Sequence, residues 1–288
     1  MTPNLGPGPA FNALQEGRLL LQNAGVDAWQ LEAELLLAQA LHLTRAALLA
    51  HTGDILTQPQ AAAYWDMLQK RAQGVPFHYI VGEKEFMSLP FFVDENVLIP
   101  RGDTEILAQQ ALDAIRALSY SNVLELCTGS GCIAVTLAHY AGIGVTATDI
   151  SPQALAVARA NARRHHVSAR ICFYEGDLYE ALPPGRRFQL IVSNPPYIPT
   201  GVLPNLPPDV GREPRLALDG GPDGLDFYRR IVTGSLLFLQ PRGQLMVECG
   251  FDQGGDIARL LAAQGFTDVC VLKDLSGLDR VVTGRWIY

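Results

Sequence analysis

Hydrophobic and polar positions change rhythm twice along this chain. From about residue 10 to 75, apolar residues recur near helical spacing, as in Leu31, Leu35, Ala38 and Leu41, and again in Ala61, Tyr64, Trp65 and Leu68. Breakers are few there (Gly25, Gly53, Pro59 and Gly74), so residues 1–75 are predicted to form a small bundle of four or five helices. At Val75-Pro76 the pattern changes. Phe77 to Val81 and Phe91 to Val93 read as β-type stretches parted by Gly82 and Pro90, which predicts a hairpin linker over 76–100. A helix is expected over about 103–118, with Asp103 or Thr104 near its N-cap and Glu105 in its first turn.

From residue 122 short apolar runs alternate with helical ones. Strands are predicted at Val123–Leu126, Gly144–Thr148, Arg170–Tyr174, Phe188–Val192 and Gly243–Glu248, with helices at about 152–164, 226–238 and 253–263 between them. Two β-rich stretches, about 267–273 and 279–287, close the chain and suit an antiparallel pair. Residues 101–288 therefore read as one α/β domain: a seven-stranded, mostly parallel sheet with helices on both faces.

The composition of the 288 residues, 48% hydrophobic and 18% charged, is that of a packed globular protein and excludes a disordered class. A formal charge of -7 argues against a broad phosphate-gripping surface, so no direct nucleic-acid binding is expected. No apolar run is long enough to cross a membrane, and Met1 to Gly6 does not resemble a secretory signal. The five cysteines, Cys127, Cys132, Cys172, Cys249 and Cys270, form no CxxC pair and read as buried thiols. They share no ligand spacing with the histidines, so no metal is expected, and the chain reads as cytoplasmic.

In open α/β sheets ligands lie beyond the carboxyl ends of the strands. Three segments fall there. Glu125-Leu126-Cys127-Thr128-Gly129-Ser130-Gly131 offers a glycine turn, Asp149 follows Gly129 by 20 residues and suits ribose hydroxyls, and Gly176-Asp177-Leu178 suits an adenine. Gly129-x-Gly131-x-x-Ala134 also meets the looser dinucleotide fingerprint, so the turn alone leaves NAD open. The end of the fourth strand and the antiparallel C-terminal pair favour S-adenosylmethionine instead.

That fourth strand runs into Asn194-Pro195-Pro196-Tyr197. Two prolines stiffen the turn and supply no N–H. An amide –NH₂ carries two donors, which the Asn194 side-chain oxygen and the Pro195 carbonyl can accept, while Tyr197 can stack on the planar group. An amide nitrogen is a poor nucleophile, so the chemistry would rest on positioning and on stabilising developing charge.

These residues resemble the HemK/PrmC family of N5-glutamine methyltransferases, which modify the Gly-Gly-Gln loop of class-1 peptide-chain release factors. The resemblance covers nearly the whole chain. It includes Ile99-Pro100-Arg101-Gly102-Asp103-Thr104-Glu105, the glycine turn, Asn194-Pro195-Pro196-Tyr197-Ile198 and the long loop Glu213–Leu225. It implies a class I S-adenosylmethionine methyltransferase (Rossmann-like) fold, cofactor contacts from Glu125, Leu126, Cys127, Thr128, Gly129, Asp149, Leu178 and Asn194, and a substrate glutamine met by Asn194 to Tyr197. It also implies that the N-terminal helical domain helps to dock the release factor. Gly102 stands where the family commonly has proline, Glu125 where aspartate is usual, and Cys127 where glycine is. Arg101 and Glu105 are expected either to wall the site or to form a structural ion pair. Two other enzymes share the tetrapeptide: a glutamine methyltransferase acting on a ribosomal protein, and an adenine-N6 DNA methyltransferase, against which the acidic charge and the lack of a target-recognition domain count. A non-catalytic binding module with the same fold is disfavoured by the intact site.

Overall fold

The computed structural model describes residues 8–288. They form two compact units: the described residues up to Gly82 with Pro208–Arg212, and Glu83–Pro207 with Glu213–Tyr288.

The first unit is helical. Its helices are α1 (Ala10–Asn23), α2 (Trp29–Leu41), α3 (Arg45–Ala50), α4 (Gln58–Ala72) and α5 (Phe77–Val81). Leu14, Leu21, Leu36, Leu37, Leu48, Tyr64 and Leu68 are buried together. Thr57 and Gln60 form a capping box that starts α4. Inside this apolar cluster Glu34 is held by Arg18 and Arg45, each at 2.6 Å. Phe77–Val81, expected as a strand, is a single helical turn. Pro76 precedes it and Gly82 ends it at φ 73°, a proline-to-glycine bracket that favours a helical turn over an extended run.

In the second unit, the hairpin strands β1 (Glu83–Phe86) and β2 (Leu89–Phe92) pair antiparallel. The expected linker is thus divided, its residues from Glu83 on belonging to this unit. The buried Asn161 side chain fastens it, accepting from the Phe92 N–H at 2.8 Å and donating to the Phe92 carbonyl at 3.0 Å. There follow α6 (Thr104–Leu118), β3 (Asn122–Leu126), α7 (Cys132–Ala141), β4 (Gly144–Asp149), α8 (Pro152–Arg164), β5 (Ile171–Glu175), β6 (Phe188–Ser193), α9 (Asp226–Phe238), β7 (Leu239–Glu248), α10 (Gly254–Ala263), β8 (Thr267–Lys273) and β9 (Asp279–Arg285).

The sheet order is β5-β4-β3-β6-β7-β9-β8, parallel except for the pairings of β9 with β7 and β8. Central strands buried on both faces must be apolar on both. Val123, Leu190 and Val192 accordingly face a core with Leu107, Ala111 and Ile115 of α6, while Leu124, Leu126 and Ile191 face one with Tyr228, Ile231, Ile257 and Leu261 of α9 and α10. Two of the five thiols, Cys172 and Cys270, prove to be exposed. They lie on β5 and β8, the edges of the sheet, where alternate residues reach solvent.

Chain order reverses between β3 and β6, and the residues after both strands stand at this switch point. Among the described residues no helix is long and apolar enough to cross a membrane, and no cluster of His, Cys, Asp and Glu could hold a metal ion.

Candidate active site

After β3 the chain must turn sharply under α7. Glu125 organises that turn from inside. It is 1% exposed, and its carboxylate accepts from the Thr128 hydroxyl at 2.6 Å and from the Ala134 N–H at 3.0 Å. Burial pushes its pKa up to about 8, against the opposing pull of those two donors. Cys127 sits at φ 59°, a left-handed conformation that explains why glycine suits this position. The two later glycines divide the labour. A Cβ on Gly131 would come within 2.9 Å of Ala158, so this glycine lets α8 pack closely. A Cβ on Gly129, at φ +53°, would meet nothing within 4 Å, because this glycine borders an open cleft.

Asp149 ends β4. Its Oδ2 accepts from the Gly129 N–H at 2.8 Å and its Oδ1 from the Ser151 N–H at 2.9 Å, which fixes the carboxylate and leaves each oxygen able to accept again. Burial raises its pKa, and the backbone donors oppose the rise. Beside it, Leu178 and Ile150 present apolar surface, and Asp177 pairs with Arg230 of α9 at 2.7 Å.

These residues line one cleft that encloses about 1110 Å³ of empty space, its mouth included. Of the expected site residues, Glu125, Cys127, Thr128, Gly129, Asp149, Asp177, Leu178, Asn194 and Pro196 border it. Leu126, Pro195 and Tyr197 do not. Leu126 is buried in the core beneath and its carbonyl accepts from the Ser193 hydroxyl at 2.9 Å. Tyr197 packs against the same core, and burial pushes its hydroxyl up to about 12. It ties the turn to the core.

The Asn194 amide donates to the Thr104 hydroxyl at 3.1 Å. The loop expected from Glu213 to Leu225 is the clamp behind this turn. The Ile198 N–H donates to the Leu218 carbonyl at 2.9 Å, the Gly220 N–H to the Ile198 carbonyl at 2.8 Å, and Gln253 Nε2 to the Tyr197 carbonyl at 3.0 Å. A Cβ on Gly220 would lie 2.7 Å from the Tyr197 Cα, so the loop touches the turn backbone to backbone. The loop is anchored in turn by Glu213, which accepts from the Ile99 N–H at 3.1 Å and from the Arg101 guanidinium. Arg101 thus both pairs and borders the cleft. Glu105 does neither: its carboxylate accepts from the Met87 N–H at 2.6 Å and fastens the hairpin turn.

The sequence reading missed the walls. Asn96 to Leu98, Phe227 and Arg230 all border the cleft without any motif to mark them. Glu248 was missed too. It lies at the end of β7, 2% exposed, and only its place beside Asn194 and Thr104 reveals it.

Comparison with known proteins narrows what such a cleft belongs to. Family models match at residues 12–82, the PrmC N-terminal domain, and at residues 102–202, the methyltransferase small domain. The release factor glutamine methyltransferase of Moorella thermoacetica is 46% identical over 270 residues, 93% of this chain and 95% of its own. This chain belongs to the release factor glutamine methyltransferase family. A second member, from Geobacter sulfurreducens, is also 46% identical, over 92% of each chain. The solved methyltransferase of Pyrococcus furiosus is 15% identical, covers 71% of this chain and 92% of its own, and has a TM-score of 0.53, a likeness of fold alone. The class I methyltransferase fold implied by the sequence is the fold of this member of the family, and the chain is an enzyme of that kind.

Proposed function

We propose that this protein transfers a methyl group from S-adenosylmethionine to the side-chain amide nitrogen of the glutamine in the Gly-Gly-Gln loop of class-1 release factors. The observation that carries the reading is that the rigid Asn194 turn and the Gly129–Asp149 cradle open on one cleft. The residues suit such a cofactor. Asp149 is a fixed acceptor for ribose hydroxyls between the apolar Ile150 and Leu178, and Gly129 leaves free space where a side chain would intrude. When bound, the cofactor supplies an electrophilic methyl group, so the protein needs no covalent nucleophile.

The protein's own part is positioning. Asn194 Nδ2 is engaged by Thr104, which leaves Oδ1 to accept one hydrogen of the incoming amide. The Pro195 carbonyl, bonded to the cleft-lining Pro196 and flanked by two proline nitrogens that cannot donate, is the acceptor for the other. Holding both hydrogens aims the nitrogen into the cleft. The walls exclude water from the weak nucleophile, and the surplus proton is lost to solvent after transfer. The helical first unit is read as the release-factor docking platform, and the protein as cytoplasmic.

Labelled S-adenosylmethionine and a bacterial class-1 release factor provide the test. Label is expected on the Gly-Gly-Gln glutamine and absent from a factor in which that glutamine is replaced. An unlabelled factor alongside a labelled ribosomal protein would overturn the proposal.

A further inference from the structure

Glu248 is a buried acid that the chemistry above does not use. It ends β7, one residue beyond the Ser193–Val247 pair that joins β6 to β7, and so stands beside the start of the Asn194 turn. It is 2% exposed, and its Oε2 is buried without a hydrogen-bond partner among the described residues. A carboxyl in that state is costly unless donors face it. Two groups able to donate pull its pKa down, the Thr104 hydroxyl and the Asn194 amide. Thr104 is itself 2% exposed and takes the Asn194 Nδ2–H at 3.1 Å, so its own hydroxyl hydrogen is free to point onward.

We infer that Glu248 is a positioning residue for methyl transfer: acting through Thr104, it draws the amide nitrogen of Asn194 inward and so presents the amide oxygen to the cleft. An asparagine side chain is nearly symmetric in shape, and only its surroundings decide which end faces the substrate. A hydroxyl alone accepts or donates and would tolerate either orientation. A carboxylate behind it only accepts, and so demands that the hydroxyl donate inward and the Asn194 nitrogen follow. The wrong end would offer the acceptor amide two donors against its own two donors. This rests on the function proposed above.

The switch has a pH signature. Burial pushes Glu248 up to about 7, with Thr104 and Asn194 pulling the other way. Asp103 raises it and Arg280, paired with Asp103 at 3.2 Å, lowers it. Its other titratable neighbours, Cys132, Cys249, Tyr197 and Tyr228, are neutral there, since burial raises all four. A protonated Glu248 donates as well as accepts and releases the demand on Thr104. Activity is therefore expected to fall as pH drops through about 7.

The test uses the full chain with a release factor. Glu248→Gln should lower kcat by about 10- to 100-fold, with cofactor affinity unchanged, and flatten the pH limb expected of the wild type near 7. Thr104→Val should reproduce the loss and Thr104→Ser should restore activity, a pair that decides the matter even if Glu248→Gln fails to fold. Wild-type-like kcat and pH profile in Glu248→Gln, or equal activity of the two Thr104 variants, would overturn the inference. An inactive wild type would instead overturn the function on which it rests.

Discussion

The glycine turn after β3 and the Asn-Pro-Pro-Tyr turn after β6 flank the same switch point, yet they are held by different means. Glu125 fixes the first through partners 3 and 9 residues further on, and Asp149 closes it from 20 residues away. The second depends on Thr104, 90 residues earlier, and on Gln253, 56 residues later. One turn is nearly self-sufficient. The other is stiff because the loop after Glu213 is pressed against its backbone. A cofactor cradle common to many enzymes can be a local motif, whereas a site that must hold a weakly nucleophilic amide in one orientation draws on the whole domain.

That contrast can be broken experimentally. The largest effect is expected for Asn194→Ala, which should reduce transfer about 100- to 1000-fold while cofactor affinity, measured by calorimetry, stays within a few-fold. Full activity would remove Asn194 from the chemistry. Gly220→Ala comes next. Its Cβ would lie 2.7 Å from the Tyr197 Cα, so about 1–3 kcal/mol of stability should be lost together with about tenfold in kcat, again with the cofactor still bound. The matched Gly129→Ala should instead weaken cofactor affinity more than kcat: its Cβ meets no protein atom within 4 Å and would enter the cleft, while the backbone at φ +53° adds strain of its own. Equal kinetic signatures for the two variants would abolish the distinction between the turns.

The cradle should also be visible in pH dependence. Burial holds the Glu125 proton up to about 8 against an ordinary 4.5. Between those values the folded protein binds more protons than the unfolded chain, so stability falls as pH rises through the window. Glu125→Gln, neutral throughout, should flatten that fall in thermal melts, and a slope as steep as the wild type's would contradict it. The smallest effect is expected for Arg230→Ala. Its pair with Asp177 is half-exposed, so the loss should stay within about 1 kcal/mol of stability or cofactor binding.

Local chemistry made much of this fold legible. The apolar runs of β3 and β6 stand out because parallel strands are covered on both faces, and the helix Asp226–Phe238 is bounded as its periodicity predicts. Phe77–Val81 misled because five residues are too few for periodicity to separate strand from helix, and the flanking Pro76 and Gly82 decided it. Cys172 and Cys270 misled because a strand's place in the sheet, edge or centre, is absent from its own residues.

By itself the sequence determined the family, the alternation of strands and helices, and the two turns at the carboxyl ends of β3 and β6. Each is written in neighbouring residues, where propensity, proline stiffness and glycine freedom act over a few bonds. The tertiary structure alone decided which of those residues face the cleft. It left Leu126 in the core beneath, brought Phe227 and Arg230 to its wall, and set Glu248 behind Asn194. Burial, orientation and the pKa of an acid depend on what the distant chain packs against it, and no short motif contains that.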